Sequence, residues 1–254
     1  MDITHTSLNI GLSTGLVFIV ALLYSSVGHG GASGYLAVLS LLSLPPQQLA
    51  GTALILNLVV ATIAFFNYAR AGHFTWRYNW LCIAVSVPCA FIGGWLPVSA
   101  PIYHVLLCAV LLFAAWRLWM VWPSENLIPL QQPHLGVLLI TSAFIGLISG
   151  IVGVGGGIFL SPLMILLRWA TPQQTGATSA CFILANSLAG LFARHLHNTL
   201  MTGAMISSLW PLILAGIIAS LIGSYYGSRV VSGAGLRRLL AIVLLIASLK
   251  LILF

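Results

Sequence analysis

Ten apolar runs, separated by short breaks that are polar or contain glycine and proline, make up most of this 254-residue chain. Most of the runs have the roughly 20 residues that a helix needs to cross the hydrocarbon of a bilayer. The pattern therefore predicts an all-α integral membrane protein. The runs lie at about residues 8–27, 32–44, 48–69, 79–97, 101–122, 135–152, 157–169, 175–194, 203–227 and 236–253.

The second and seventh runs, 32–44 and 157–169, are shorter than the others. They cannot cross about 30 Å of hydrocarbon as straight helices. We expect them to be half-helices or arms of re-entrant hairpins, which lowers the number of full spans to about eight. Irregular backbone of this kind is stable at membrane depth only where protein or a water-filled cavity covers it.

A glycine-rich break precedes each short run, and the two breaks are alike. Gly28-His29-Gly30-Gly31-Ala32 returns 125 residues later as Gly153-Val154-Gly155-Gly156-Gly157. A second signature follows each break at nearly the same distance, because Pro46-Gln47-Gln48 with Thr52 recurs as Pro172-Gln173-Gln174 with Thr178. A chance repeat would not keep both signatures.

The paired signatures predict that the whole chain is a duplication. We expect a first transmembrane repeat at 1–122, a connecting loop at 123–134 and a second repeat at 135–254, with about five helical segments in each repeat. Two hydrophobic halves that are broken by glycine at matching places are typical of secondary transporters, whose substrate site lies between the repeats.

Composition and charge support the membrane prediction. Hydrophobic residues make up 60% of the chain and charged residues only 4%, whereas about a quarter of a soluble domain is charged. The net charge of +7 does not indicate nucleic-acid binding, because the cations lie singly at the ends of apolar runs, as topology signals do. An external N-terminus would leave only Arg194 and Lys250 outside, and the inner side would hold Arg70, Arg77, Arg117, Arg168, Arg229, Arg237 and Arg238.

That charge distribution predicts an external N-terminus. Because five segments per repeat is an odd number, the second repeat then enters from the opposite face, and the two repeats are inverted. Inverted repeats allow alternating access, since each half can adopt the conformation of the other in turn.

The breaks are the candidate substrate site. A helix that starts after Gly31 or Gly157 would direct its positive N-terminal end to the membrane midplane, which favours an anion. The alternative role for these glycines is close packing of crossing helices. The predicted substrate-binding residues are the glycines of the breaks with the hydroxyl, imidazole and amide side chains around them: Gly28, His29, Gly30, Gly31, Ser33, Thr52, Asn57, Gly153, Gly155, Gly156, Gly157, Ser161, Thr178, Ser179 and Asn186.

His29 is the ionisable residue of the two glycine motifs, and Val154 stands at the matching position of the second repeat. An imidazole can take up and release a proton during a transport cycle, so His29 is the candidate for proton coupling. The alternative is a neutral histidine that bridges two backbone groups. Asp2 and Glu125 are the only acidic residues, and both lie outside the apolar runs. We therefore expect no metal site, no cofactor and no carboxylate-based cation site.

Basic and aromatic residues form two further clusters at the ends of apolar runs. The first combines Arg194, His195 and His197, and the second combines His73, Trp76 and Arg77. Either cluster could attract an anion to a mouth of the transport path. We expect instead that both mark the interface between hydrocarbon and water, where cations and aromatic rings anchor helices.

The second motif runs from Gly153-Val154-Gly155-Gly156-Gly157 through Pro162 to Ala177-Thr178-Ser179, and it resembles the TauE/SafE sulfite-exporter family of membrane transporters. The first motif departs from that pattern, with Ala32 for the last glycine and no proline opposite Pro162. The resemblance extends over essentially the whole chain. It implies a multi-pass permease of the bacterial cytoplasmic membrane that moves sulfur-containing anions such as sulfite, thiosulfate or organosulfonates.

The leading hypothesis is therefore an alternating-access anion transporter linked to the proton gradient. Its rivals are a permease for another small anion or a metal cation, a membrane-embedded enzyme and a passive channel. A cation permease lacks buried acids in this sequence, and an enzyme lacks a membrane-embedded acid to act with His29. No feature of the sequence indicates the oligomeric state.

Overall fold

The computed structural model describes residues 3–40, 46–119, 130–196 and 209–229, and within these ranges all regular secondary structure is helical. The predicted run at 236–253 and most of the loop at 123–134 lie outside the described residues. The helices are α1 (Ile3–Ser25), α2 (Ala32–Ser40), α3 (Pro46–Arg70), α4 (Trp76–Trp95), α5 (Ala100–Trp119), α6 (Leu135–Val152), α7 (Gly157–Leu166), α8 (Pro172–Leu196) and α9 (Trp210–Arg229).

The two short helices are confirmed. Helix α2 is described over 9 residues, up to Ser40 where the first described range ends, and α7 has 10. At a rise of 1.5 Å per residue these lengths are about 14 and 15 Å, which is half of the hydrocarbon thickness. Each follows one of the glycine-rich breaks, so the backbone is irregular at the two places where the sequence predicted it.

The surface of the described helices has the polarity expected of a protein in lipid. Ile140 and Phe144 on α6 are 72% and 64% exposed, whereas Asn57 and Asn186 on long helices are fully buried. Polar groups inside and apolar side chains outside fit a bilayer, which cannot satisfy hydrogen bonds. Four helices of the described part are long and apolar enough to cross a membrane, namely those over Leu49–Arg70, Leu135–Val152, Pro172–Leu196 and Trp210–Arg229.

Helices α3 and α8 each have 25 residues and each begin at the proline of the repeated signature. Both begin two or three residues before the predicted runs at 48–69 and 175–194. Proline suits the first helical position, because its fixed φ angle matches the helix and its missing N–H has no partner there anyway. The repeated proline therefore stands at the start of α8 and at the first described residue of α3.

The helices pack in matched pairs across the two predicted repeats. Helix α4 packs along α6, and α9 packs along α1. In the first pair Gly93 lies directly against the carbonyl of Leu147, and in the second Gly223 lies directly against the carbonyl of Leu22. A side chain at either glycine would overlap the facing backbone, so the small residue permits close helix packing at equivalent places.

Helices α3 and α8 lie against each other at the centre of the fold. On α3, Leu54 lies one turn before Asn57. Leu54 contacts Gly190 of α8, whereas Asn57 donates a hydrogen bond to the earlier residue Ser187. Residue numbers thus fall along α8 as they rise along α3, so the two helices run antiparallel. The third helix of each predicted repeat therefore runs opposite to its counterpart.

Candidate functional site: two glycine breaks at the centre

The two glycine-rich breaks meet beside Asn57, near the middle of α3. A side chain at Gly30 of the first break would overlap Asn57 Oδ1, and one at Gly155 of the second would overlap Asn57 Nδ2. Both glycines also lie within contact of the same methyl group of Ile183 on α8. The structure thus brings together the two motifs that stand 125 residues apart in the sequence.

Asn57 is hydrogen-bonded to both breaks. Its Oδ1 accepts the backbone N–H of Ala32 at 3.2 Å, at the start of α2. Its Nδ2 donates to the carbonyl of Val154 at 3.2 Å and to Ser187 Oγ at 3.1 Å. Both amide hydrogens of this buried side chain are used within the protein. A contribution of Asn57 to substrate binding stays a prediction, and its observed role is to position the breaks.

The breaks need glycine for their backbone conformation. Gly28 and Gly31 have φ angles of 74° and 100°, and Gly153, Gly155 and Gly156 have φ angles of 85°, 77° and 81°. Residues with a Cβ are strained in this left-handed region. At Gly155 the restriction is double, because a Cβ would also overlap the amide of Asn57.

Side chains bind the carbonyl groups around the breaks. Tyr68 donates its hydroxyl to the carbonyl of Ser26 at 2.9 Å, and Tyr35 donates to Gly30 at 2.8 Å. Near the second break Tyr103 donates to the carbonyl of Val152 at 3.3 Å. Phenol groups therefore occupy three carbonyls in and beside the two breaks, those of Ser26, Gly30 and Val152.

The backbone N–H groups are treated differently. Among the described residues, no group accepts a hydrogen bond from the N–H of Gly155, Gly156 or Gly157. These amides stand at the N-terminus of α7, where the helix dipole adds partial positive charge. Buried N–H groups of proteins nearly always have a partner, so a row of unused donors is suited to an anion.

A polar cluster links the first break to the second repeat. His29 Nδ1 lies 3.0 Å from the carbonyl of Val27, so this nitrogen carries a hydrogen, and Nε2 lies 2.8 Å from Ser161 Oγ. Ser161 Oγ is also 2.7 Å from Ser179 Oγ and 3.0 Å from the carbonyl of Gly157. The Ser161 hydroxyl therefore has three acceptors within reach: the imidazole, the Ser179 hydroxyl oxygen and the carbonyl of Gly157.

This polar cluster has no polar counterpart across the repeat. His29 is partly exposed. The positions that match His29, Ser161 and Ser179 are all apolar and buried. They are Val154, Leu36 and Ala53, respectively. The two predicted repeats therefore share a backbone pattern but carry different side chains at these three pairs of positions.

Asn186 on α8 differs from Asn57 in its hydrogen bonding. It is fully buried, and neither its Oδ1 nor its Nδ2 has a hydrogen-bond partner among the described residues. The hydroxyl of Ser149 on α6 is buried without a partner in the same way. One turn before them, Phe182 and Ile145 both lie against the position of Gly156. The unused side-chain groups are therefore on the faces of α6 and α8 that turn toward the second break.

Comparison with known proteins indicates a membrane transporter. The family described as sulfite exporter TauE/SafE matches residues 13–251. The chain belongs to the TauE/SafE sulfite exporter family. It is 33% identical over 239 residues to a probable membrane transporter protein of Sinorhizobium fredii, which covers 92% of this chain and 95% of the relative. It is 23% identical over 197 residues to a probable membrane transporter protein of Methanocaldococcus jannaschii, covering 72% and 71%. No solved structure matches the chain.

The other predicted site residues of this TauE/SafE protein are buried near the breaks. Ser33 at the start of α2 is hydrogen-bonded to the hydroxyl of Tyr24 at 2.7 Å. Thr178 on α8 accepts a hydrogen bond from Asn79 Nδ2 at 3.1 Å, and Thr52 is buried at the matching position of α3. Their part in substrate binding stays a prediction.

The position of Arg194 differs from the prediction. The sequence predicted that Arg194 anchors α8 at the interface between hydrocarbon and water, but its side chain is only 6% exposed. Its guanidinium donates to the carbonyls of Gly150 at 2.9 Å and Ile151 at 3.0 Å, just before the second break. His195 is exposed as expected, and His197 lies outside the described residues. A cation at the end of an apolar run is usually at the surface, so the sequence pattern did not indicate this burial.

The second basic cluster agrees better with its prediction. Trp76 and Arg77 are exposed at the start of α4. His73 is half-buried, and its Nε2 lies 3.1 Å from the carbonyl of Ser228 at the end of α9.

Among the described residues, no group of three or more histidine, cysteine or acidic side chains could hold a metal ion.

Proposed function

We propose that this membrane protein is a secondary transporter for small sulfur-containing oxyanions, such as sulfite, thiosulfate or organosulfonates, and that the substrate binds between the two breaks. The observation that carries the proposal is the row of unused N–H donors at Gly155, Gly156 and Gly157. Membership of the TauE/SafE sulfite exporter family supports the substrate class.

The chemistry around the breaks favours an anion over a cation. The available groups are backbone N–H donors, the hydroxyls of Ser161 and Ser179, and the unpartnered amide of Asn186. The described ranges contain no aspartate or glutamate, because the only acidic residues of the chain are Asp2 and Glu125. Divalent cations such as calcium and magnesium prefer carboxylate oxygens, so a permease for them is poorly supported.

We further propose two inverted repeats, with boundaries at 1–122 and 135–254, that exchange conformations during alternating access. The antiparallel contact of α3 with α8 supports inversion, and so do the matched pairs of α4 with α6 and α9 with α1. We assign the N-terminus to the outside of a bacterial cytoplasmic membrane from the cation distribution. Impermeant labelling of tags at the N-terminus and near Glu125 should report opposite sides, and same-side labelling would contradict the scheme.

His29 is proposed as the proton-coupling residue. In the neutral imidazole, Nε2 accepts the hydrogen of the Ser161 hydroxyl. When Nε2 is protonated it donates instead, and the Ser161 hydroxyl turns to the carbonyl of Gly157. Protonation thus changes a hydrogen bond in the first turn of α7, beside the proposed anion site. In the described part of the chain, the titratable side chain of Tyr24 also faces the ring, with the two ring centroids 6.4 Å apart.

The proposal is tested by thermal unfolding of the purified protein with sulfite, thiosulfate, sulfate, taurine and methanesulfonate, with chloride and divalent metals as controls. A selective ligand at 100 times its Kd stabilises the folded state by about 2.7 kcal/mol. Asn186→Leu should abolish the shift, whereas the matched control Asn67→Leu, on α3 beside α9, should retain it. The proposal would be contradicted if only metals raised the unfolding temperature, or if no anion raised it.

Transport itself separates the proposal from a passive channel. Proteoliposomes should accumulate the stabilising anion against its own gradient when a proton gradient is applied. Flux that only equilibrates the anion would indicate a channel.

A further inference from the structure

Tyr68 and Arg194 stand at matching positions of the two repeats and make matching contacts. Each follows the first proline of its 25-residue helix by 22 residues. Tyr68 donates to the carbonyl of Ser26 at 2.9 Å, and Arg194 donates to the carbonyl of Ile151 at 3.0 Å. Ser26 and Ile151 are themselves 125 residues apart, as the breaks are. The same backbone position is thus bound by a neutral phenol in one repeat and by a guanidinium in the other.

Binding this carbonyl does not require a positive charge, because Tyr68 does it with a hydroxyl. A guanidinium is always protonated, and keeping it inside a membrane protein is costly. Arg194 is nevertheless buried, and its Nη1 also donates to the carbonyl of Gly150 at 2.9 Å. Charged groups that are buried inside membrane proteins are usually retained for function. The charge of Arg194 therefore needs a reason beyond the capping of α6.

The position of Arg194 suggests that reason. The carbonyls that it binds belong to the last turn of α6, immediately before the second break. The unused N–H groups of Gly155 to Gly157 follow within the same short loop. A fixed charge there adds to the positive field of the α7 N-terminus, whereas the matching position beside the first break holds the neutral Tyr68.

We propose that Arg194 is the charge-selecting residue of the site: it directs the anion to the second break and favours divalent over monovalent oxyanions. This inference rests on the proposed anion transport and deepens it. Arg194 acts through its field and not by contact, so the effect of its charge on a ligand must scale with the charge of that ligand.

The test measures KM for divalent thiosulfate and monovalent methanesulfonate in proteoliposomes, at one pH and one ionic strength. A unit charge that acts over roughly 10 to 15 Å at an effective dielectric constant of about 20 changes monovalent affinity about tenfold. Arg194→Tyr copies the residue of the other repeat, and Arg194→Gln is a second neutral variant. Both should raise KM about tenfold for methanesulfonate and about a hundredfold for thiosulfate.

The controls separate charge from structure. Arg194→Lys should keep the ratio of the two KM values near that of the wild type, and Tyr68→Phe should leave it unchanged. Unfolding temperatures identify any neutral variant that no longer folds. The inference would be overturned if the neutral variants raised KM by the same factor for both anions, or if Arg194→Lys had the KM ratio of the neutral variants. If the wild type transports neither anion, the proposed function fails, and this inference fails with it.

Discussion

Asn57 and Asn186 provide the sharpest test of how the breaks are built, because both are fully buried asparagines on equivalent helices. Asn57 makes three hydrogen bonds to the breaks and to α8, whereas Asn186 makes none to the described residues. Leucine has nearly the shape of asparagine without its polar atoms. We expect Asn57→Leu to destabilise the fold, and Asn186→Leu to leave it intact while impairing transport.

The magnitude follows from the groups left behind. Asn57→Leu strands the N–H of Ala32 and the carbonyl of Val154, while the Ser187 hydroxyl can turn to a carbonyl of its own helix. A buried group without a partner costs about 1–3 kcal/mol, so the two together predict a loss of about 2–6 kcal/mol. Asn186→Leu removes two unpartnered polar atoms, and its unfolding free energy should be unchanged or raised.

The assay compares reversible unfolding in mixed detergent micelles with anion uptake in proteoliposomes. Asn57→Leu should unfold well before the wild type, whereas Asn186→Leu should unfold with it and show a raised KM or no uptake. The reasoning would be refuted if Asn186→Leu lost as much stability as Asn57→Leu, since its amide would then have protein partners. Unchanged uptake by Asn186→Leu would exclude that amide from the site.

Two further predictions concern the breaks. His29→Gln should flatten the pH dependence of uptake across the neutral range, because its amide can hydrogen-bond Ser161 but cannot change charge, and a pH profile like that of the wild type would leave His29 a structural role. Gly72→Ala and Gly155→Ala have similar backbone strain, at φ angles of 81° and 77°, and that strain costs about 1–2 kcal/mol. Gly155→Ala should lose more stability than Gly72→Ala and should abolish uptake, because its Cβ would overlap the amide of Asn57, whereas nothing lies within 4 Å of an added Cβ at Gly72. Equal losses of stability and of uptake in the two variants would contradict the role of Asn57.

The sequence predicted the architecture because that architecture depends on local features. Apolar runs, glycine clusters and the repeated proline determine where the described helices begin, end and break. The short helices α2 and α7 followed from the lengths of their runs alone. Membership of the TauE/SafE family could likewise be recognised from the second motif before any contact was known.

The contacts that define the site could not be predicted in the same way. Asn57 and Asn186 are alike in the sequence, and their difference arises from partners that are 97 and 130 residues away from Asn57. Arg194 looked like an anchor because its burial depends on the end of α6, which lies 43 and 44 residues earlier. Matching positions between the repeats were the available signal, since Tyr68 and Arg194 differ at one of them.

The two proposed repeats are alike in the backbone of their breaks and different in their side chains, and both properties suit the proposed transport. A matched backbone gives two conformations of similar energy, which alternating access requires. Matched side chains would add no preference for either one. The described residues differ at matching positions: His29 stands opposite Val154, Arg194 opposite Tyr68, and Ser161 and Ser179 opposite the apolar Leu36 and Ala53. Exchanging residues at these positions, with the breaks left intact, should therefore alter coupling and charge preference while the helices still pack.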